Sequence, residues 1–201
     1  MSATLAPFGL RPAFHPSGLD RAQALANGIS NAYENDILKG EPVRYDPGTG
    51  VIVVVDDTGA VSGAFAGVEW TDTTGRRRVS NYWPALTSYQ TGSCVAYFYN
   101  DANIVYEIQA DGYVTQESLG LETNFTSNTA GSNVTGLSQA TVSASVLGTG
   151  VQGQVRIVDI APYPGNDWSA TVSSGDPYPI LRVTIANTQF VAPQPGIGES
   201  V

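Results

Sequence analysis

Short β-forming runs, each closed by turn residues, constrain this chain more than any other feature. Val51–Val55 is an unbroken β-branched run between Gly48 and Gly50 on one side and Asp56–Gly59 on the other. A run of that kind reads as a buried strand with a turn at each end. Ile104, Tyr106 and Ile108 alternate with Val105, Glu107 and Gln109, which puts the first set on one face of a strand. The same alternation places Val142, Ala144 and Val146 together, Val155 with Ile157, and Leu181 with Val183 and Ile185. Turn signals stand between these runs, among them Asp46–Pro47–Gly48, Asp111–Gly112, Pro164–Gly165–Asn166 and Ser174–Gly175–Asp176–Pro177. The spacing predicts an all-β chain, a β-sandwich or a barrel-like domain.

Residues 1–35 follow a different pattern. Pro7, Pro12 and Pro16 alternate with Gly9, Gly18 and Gly28, and only Leu19–Ala26 has room for a helical turn or two behind Asp20. This stretch reads as an extended N-terminal arm, ordered by lying on something else. Phe8, Leu10 and Phe14 are its candidate anchors for contact with a partner. Residues 36–190 form the β-rich domain, with a Thr/Ser/Asn/Gly-rich stretch over 122–150 that reads as a long loop or weak edge strands. Residues 191–201, with Pro193, Pro195, Gly196 and Gly198, read as a flexible tail.

With 201 residues, roughly 70% of the unfolded surface can be buried, so a core needs no disulfide or metal to support it. The formal net charge of −9 argues against nucleic acid, because duplex binding depends on basic patches that release counterions. It argues equally against anionic lipid. The one basic run, Arg76–Arg77–Arg78, reads as a turn with solvated charges rather than a phosphate clamp. No apolar run approaches the ~20 residues of a membrane-spanning helix. The N-terminus lacks the charged and apolar regions of a signal peptide, which implies synthesis in a cytoplasm.

Chemistry-bearing residues are scarce. His15, Cys94 and Lys39 are each the sole residue of their kind, so multi-histidine metal sites are excluded. A Ser-His-Asp triad needs His15 from the arm, and a Cys-His pair needs Cys94, which reads as a buried inert thiol. No nucleophile elbow, phosphate-binding loop or dinucleotide fingerprint is present. Two carboxylates for a glycosidase are always available among 18 acidic residues, so their presence carries no information. Asp56–Asp57–Thr58–Gly59 and Asn100–Asp101–Ala102–Asn103 are rich in oxygen ligands, but Asp and Asn favour turns for local reasons. Trp70, Trp83 and Trp168 are either core residues or sugar-stacking platforms. Asn124–Phe125–Thr126 and Asn133–Val134–Thr135 match the glycosylation triplet by chance in a Thr/Asn-rich stretch. The expectation is no catalytic residue, no metal and no cofactor: a protein that is not an enzyme.

Several short blocks, taken in order, resemble a family of virion structural proteins of tailed bacteriophages, the capsid decoration or cement proteins. The blocks are Ala6–Pro7–Phe8–Gly9–Leu10–Arg11–Pro12, Gly40–Glu41–Pro42–Val43, Gly67–Val68–Glu69–Trp70–Thr71–Asp72 with Gly75 after it, Tyr82–Trp83–Pro84, Tyr106–Glu107–Ile108–Gln109–Ala110–Asp111–Gly112, Thr135–Gly136–Leu137–Ser138, a late apolar strand around Val155–Ile160, and Ile180–Asn187. Together they span most of residues 6–190. The resemblance implies a β-protein on the capsid outer surface, with the major capsid protein and copies of itself, as a homotrimer, for partners. It carries over no site residues. An acidic protein suits the outside of a head, away from packed DNA. The alternatives are another virion component (tail or head-to-tail) and a carbohydrate-binding β-module.

Overall fold

A computed structural model describes residues 4–18, 21–148, 150–169 and 175–190. In chain order the strands are β1 (Arg11–Phe14), β2 (Gln23–Ala26), β3 (Pro42–Tyr45), β4 (Ile52–Val54), β5 (Gly63–Thr71), β6 (Arg77–Ser80), β7 (Val95–Tyr99) and β8 (Val105–Gln109). Then follow β9 (Glu122–Thr123), β10 (Phe125–Thr126), β11 (Gly131–Ser132), β12 (Leu137–Ser138), β13 (Thr141–Val142), β14 (Val155–Ile160) and β15 (Ile180–Ile185). The molecule is an all-β, sandwich-like domain. One sheet has the order β1-β8-β15-β14-β9, and the other the order β2-β7-β5-β3-β4, with β6 added to β5. Every strand pair in both sheets is antiparallel. No helix among the described residues is long and apolar enough to cross a membrane.

Two separate cores hold the sheets. Core one lies between them. Tyr106, Ile108, Val155, Ile157, Leu181 and Val183 face inward from the first sheet and meet Ala64 of β5, with Val55 and Val61 from the β4–β5 connection. These inward positions are the ones the alternation selects. Core two lies on the opposite face of the second sheet. There Val43, Ile52, Phe65, Val68 and Phe98 pack against Ile29, Ile37, Trp83 and Cys94 from the connections. The second sheet is thus covered on both faces, which is why Val51–Val55 carries no alternation: Ile52 serves core two and Val55 core one. In β5, Phe65, Val68 and Trp70 all reach core two although their spacing mixes odd and even steps. A register shift between Phe65 and Gly67 absorbs the extra residue.

The expected arm over 1–35 is extended but is not set apart from the body. Its β1 pairs with β8 at the edge of the first sheet, and its β2 pairs with β7 at the edge of the second. Gln23–Ala26 is therefore strand rather than helical turn, because β7 offers it a ladder that a four-residue helix lacks. Leu19, Asp20 and the whole expected tail over 191–201 lie outside the described residues. The 122–150 stretch resolves into two-residue strands: β10 pairs with β13 and β11 with β12. Ala144 and Val146 lie beyond β13 yet pack partly buried on core one.

Candidate interaction surface at the N-terminal strands

The N-terminal segment is fastened to the body by three kinds of contact. Its backbone crosses that of Gly40, with the Leu10 N–H donating to the Gly40 carbonyl at 2.7 Å. Gly9 has φ +75° there, and a Cβ on it would stand 2.6 Å from the same carbonyl oxygen, so no other residue fits. Leu10 itself is fully buried in core one. Ahead of it, the buried Gln109 side chain accepts from the Ala6 N–H at 2.9 Å and donates to the Thr4 carbonyl at 3.2 Å.

The third contact is ionic. Glu107 is only 4% exposed, on the face of β8 turned away from core one. Arg11, its cross-strand neighbour, donates to Oε2 at 2.7 Å, and the Tyr163 hydroxyl donates to the same oxygen at 2.6 Å. Arg182 approaches Oε1 at 3.5 Å from the other neighbouring strand. Burial pushes the Glu107 carboxyl up, but the Tyr163 hydroxyl and the guanidinium of Arg11, with Arg182 behind them, hold it below its ordinary value. The Arg11 guanidinium also sits 4.6 Å from the centroid of the Phe8 ring.

A cleft of about 370 Å³ opens beside this segment, lined by Phe8, Leu10, Arg11, Pro12, Lys39, Gly40, Phe65, Tyr99 and Leu137. Of the three anchors expected from sequence, two meet here. Leu10 forms the buried floor, so it serves this protein's own core rather than a partner. Phe8 is half-buried on the wall, and Phe14 does not line the cleft but stands 56% exposed on the edge strand β1. Lys39 reaches the cleft because its backbone bridges Leu137 of the β11–β12 hairpin. Nothing in the local sequence signals this, since residues 39 and 137 are far apart in the chain.

Elsewhere the structure decides the remaining candidates. His15, Ser17 and Asp101 do come together, with Ser17 Oγ 2.6 Å from His15 Nδ1 and His15 Nε2 3.1 Å from Asp101 Oδ2. The Ser17 backbone N–H also donates to Nδ1 at 3.1 Å, which fixes that nitrogen as the acceptor. The group closes a turn between β1 and β2 and clasps it to the β7–β8 turn. Asp101 is held below the ordinary carboxylate range, foremost by the Asn103 N–H and then by the Asn103 amide and His15. Cys94 lies in core two, away from this group, and burial pushes its thiol up to about 11.

Trp83 is fully buried, Trp70 is 8% exposed, and the two stack edge-to-face at 5.4 Å, so neither offers a face to a sugar. Trp168 packs partly buried on core one. The basic run forms the end of a hairpin: Arg76 sits in the turn, Arg77 pairs with Glu69, and Arg78 pairs with Asp72 at 3.0 Å. Asp56 of one oxygen-rich turn pairs with Arg44 at 3.6 Å. Among the described residues no group of three or more His, Cys, Asp or Glu is placed to hold a metal ion.

Sequence reasoning missed a buried carboxyl. Glu41 is 1% exposed where the chain enters β3, and its Oε2 accepts from the Leu38 N–H at 2.5 Å. Burial pushes its carboxyl up to about 8, against the pull of that N–H and with a smaller push from Asp36. The signal was faint: an acidic residue between Gly40 and Pro42 reads as an ordinary turn. Comparison with family models, with curated proteins and with solved structures finds no match to this chain.

Proposed function

We propose that this protein is a structural component of a tailed-phage virion that binds the outside of the capsid and stabilises its lattice. Charge is the observation that carries the reading. The chain holds nine basic residues against 18 acidic ones, and Arg11, Arg44, Arg77, Arg78, Arg156 and Arg182 are each spent in an ion pair. Few cations are left to meet phosphate, so the surface suits the outside of a shell and not its DNA-filled interior. The ordered blocks that resemble those of phage decoration proteins agree with the same reading. So does the form of the molecule, a small β-module with short edge strands β1, β2 and β6 available for pairing with neighbours.

In this reading the partners are the major capsid protein and further copies of the chain, closed as a trimer at local three-fold positions. Neither nucleic acid nor membrane is a partner, and no catalytic step is involved. A protein that binds only the assembled lattice stabilises it by mass action, about 2.7 kcal/mol per site at a hundredfold excess over its dissociation constant. The test compares particles with and without this protein during heating and osmotic shock. Particles carrying it should retain DNA to higher temperature and stronger shock. Equal loss from both preparations rules the function out.

A further inference from the structure

The cleft beside Phe8 joins an apolar wall to a cation that pairs with no acidic group among the described residues. Phe8 and Leu137 stand partly open along its rim, Leu137 being 44% exposed. Lys39, exposed and the only lysine of the chain, takes part in no ion pair among the described residues. We propose that this cleft receives, from the shell protein, an apolar side chain flanked by a carboxylate. The inference rests on the reading of this protein as one that binds a capsid.

Three features select that chemistry. The wall is apolar, so the group that displaces water from it is apolar. Arg11, the other cation of the cleft, is already engaged by Glu107 and Tyr163, so its fork is not free for the two-pronged grip that phosphate recognition uses. A single ammonium remains, and it matches a single carboxylate. The cleft is also small, near the lower end of ~300–1,000 Å³ for small-molecule sites, and open at its rim. A side chain entering from an adjacent surface fits this shape better than an enclosed free ligand. The overall acidity of the protein is a weak obstacle, because charges beyond ~8 Å are largely screened at ~0.15 M salt.

The experiment uses the full chain and three variants: Lys39→Glu, Leu137→Asp, and Val134→Asp as control. Val134 is 91% exposed in the same hairpin and does not line the cleft. Co-sedimentation with particles lacking the protein should weaken about tenfold or more for the first two and less than about twofold for the third. A second arm titrates the free protein with 8-anilino-1-naphthalenesulfonate, an apolar ring system bearing one anion. Its fluorescence should rise with the parent protein and fall sharply with Lys39→Glu. Unchanged particle binding by Lys39→Glu and Leu137→Asp overturns the assignment, as does equal probe binding by parent and Lys39→Glu. If the free protein self-associates and Lys39→Glu abolishes this, the occupant is a second copy and the shell assignment falls. If the parent does not sediment with particles, the virion reading fails and the shell falls with it as occupant. The probe arm then decides the chemistry of the cleft alone.

Discussion

Core one is closed by two sheets, whereas core two has a sheet on one side and only connecting segments on the other. In core one, β8, β14 and β15 of the first sheet supply side chains at every second position, and Ala64 of β5 with Val55 and Val61 beside the second sheet meets them. In core two, Ile29, Ile37, Trp83 and Cys94 come from segments with no regular period, and their backbones are tied by single bridges such as Ile37 to Trp83. A core lidded by connections needs large side chains to fill uneven space, and the aromatic cluster of Trp70, Trp83 and Tyr89 does this, with ring centroids 5.4 and 5.9 Å apart. It also traps polar groups. The Trp83 Nε1 is buried without a hydrogen-bond partner among the described residues, and Glu41 is buried where the lid enters the sheet.

If core two depends on its lid in this way, removing the central aromatic should do the most damage. Trp83→Ala is expected to cost about 3–5 kcal/mol, by the transfer and cavity terms for a fully buried aromatic. Trp83→Phe should cost less than half as much, because it keeps a ring in place and removes a buried donor whose desolvation costs about 1–3 kcal/mol. Urea denaturation of the three proteins measures both. A Trp83→Ala cost below that of an exposed-site control such as Val134→Asp would show that the connections are not a structural lid.

Glu41 sharpens the comparison through pH. Its folded value is raised to about 8 from an ordinary 4.5, so the folded state holds a proton that the unfolded state releases. The stability it contributes is fully present below pH 4.5 and is lost as pH rises through 8. By pH 7 the loss is on the order of 3 kcal/mol, at 1.36 kcal/mol per unit. Glu41→Gln removes the titrating group and keeps an oxygen for the Leu38 N–H. It should therefore stabilise the protein by about 2–3 kcal/mol at pH 7 and flatten the decline between pH 5 and 8. Chemical denaturation of both proteins across that range checks the sign. A parent whose stability is flat from pH 5 to 8 contradicts a buried neutral carboxyl.

The same contrast explains what was legible in the sequence. The strands of core one announce themselves because their two faces meet different surroundings, and Leu181, Val183 and Ile185 all turn inward as the alternation requires. Core two was illegible because its lid obeys no period: Trp83 beside Tyr82 and Pro84 looks like a loop anchor, and only tertiary packing makes it a core residue. The N-terminal segment misled for a related reason. Its prolines and glycines erase periodicity, so apolar residues such as Leu10 look available to a partner, when Gly9 and Gly40 let the chain approach closely enough to bury Leu10 at home. In the cleft, Phe8 and Leu10 were legible as notable apolar residues. Lys39 and Leu137 were not, because their neighbourhood is built by a hairpin almost a hundred residues on.

Glu107 provides the smallest expected effect and the opposite pH dependence. It belongs to the first sheet, on the face away from core one, a face that in a two-sheet sandwich ordinarily meets solvent. The N-terminal segment and Tyr163 cover it instead. Its carboxyl is held below the ordinary value, so its contribution is present above pH 4.5 and is lost as pH falls through the depressed folded value. Removing the charge with Glu107→Gln leaves Arg11 and Arg182 without their shared partner. The arginine side chains are 50% and 32% exposed and can turn to water, so the cost is about 1–2 kcal/mol and not the 3–5 of a fully buried pair. Because Arg11 is what ties β1 to β8 by side chain, the loss should concentrate at the N-terminal strand. Hydrogen exchange should show faster exchange of the amides of Leu10, Arg11, Ala13 and Phe14 in Glu107→Gln, with β14 and β15 unchanged. Uniform acceleration across the first sheet would mean that Glu107 supports the whole sheet, and that β1 is as integral to core one as the strands that fill it.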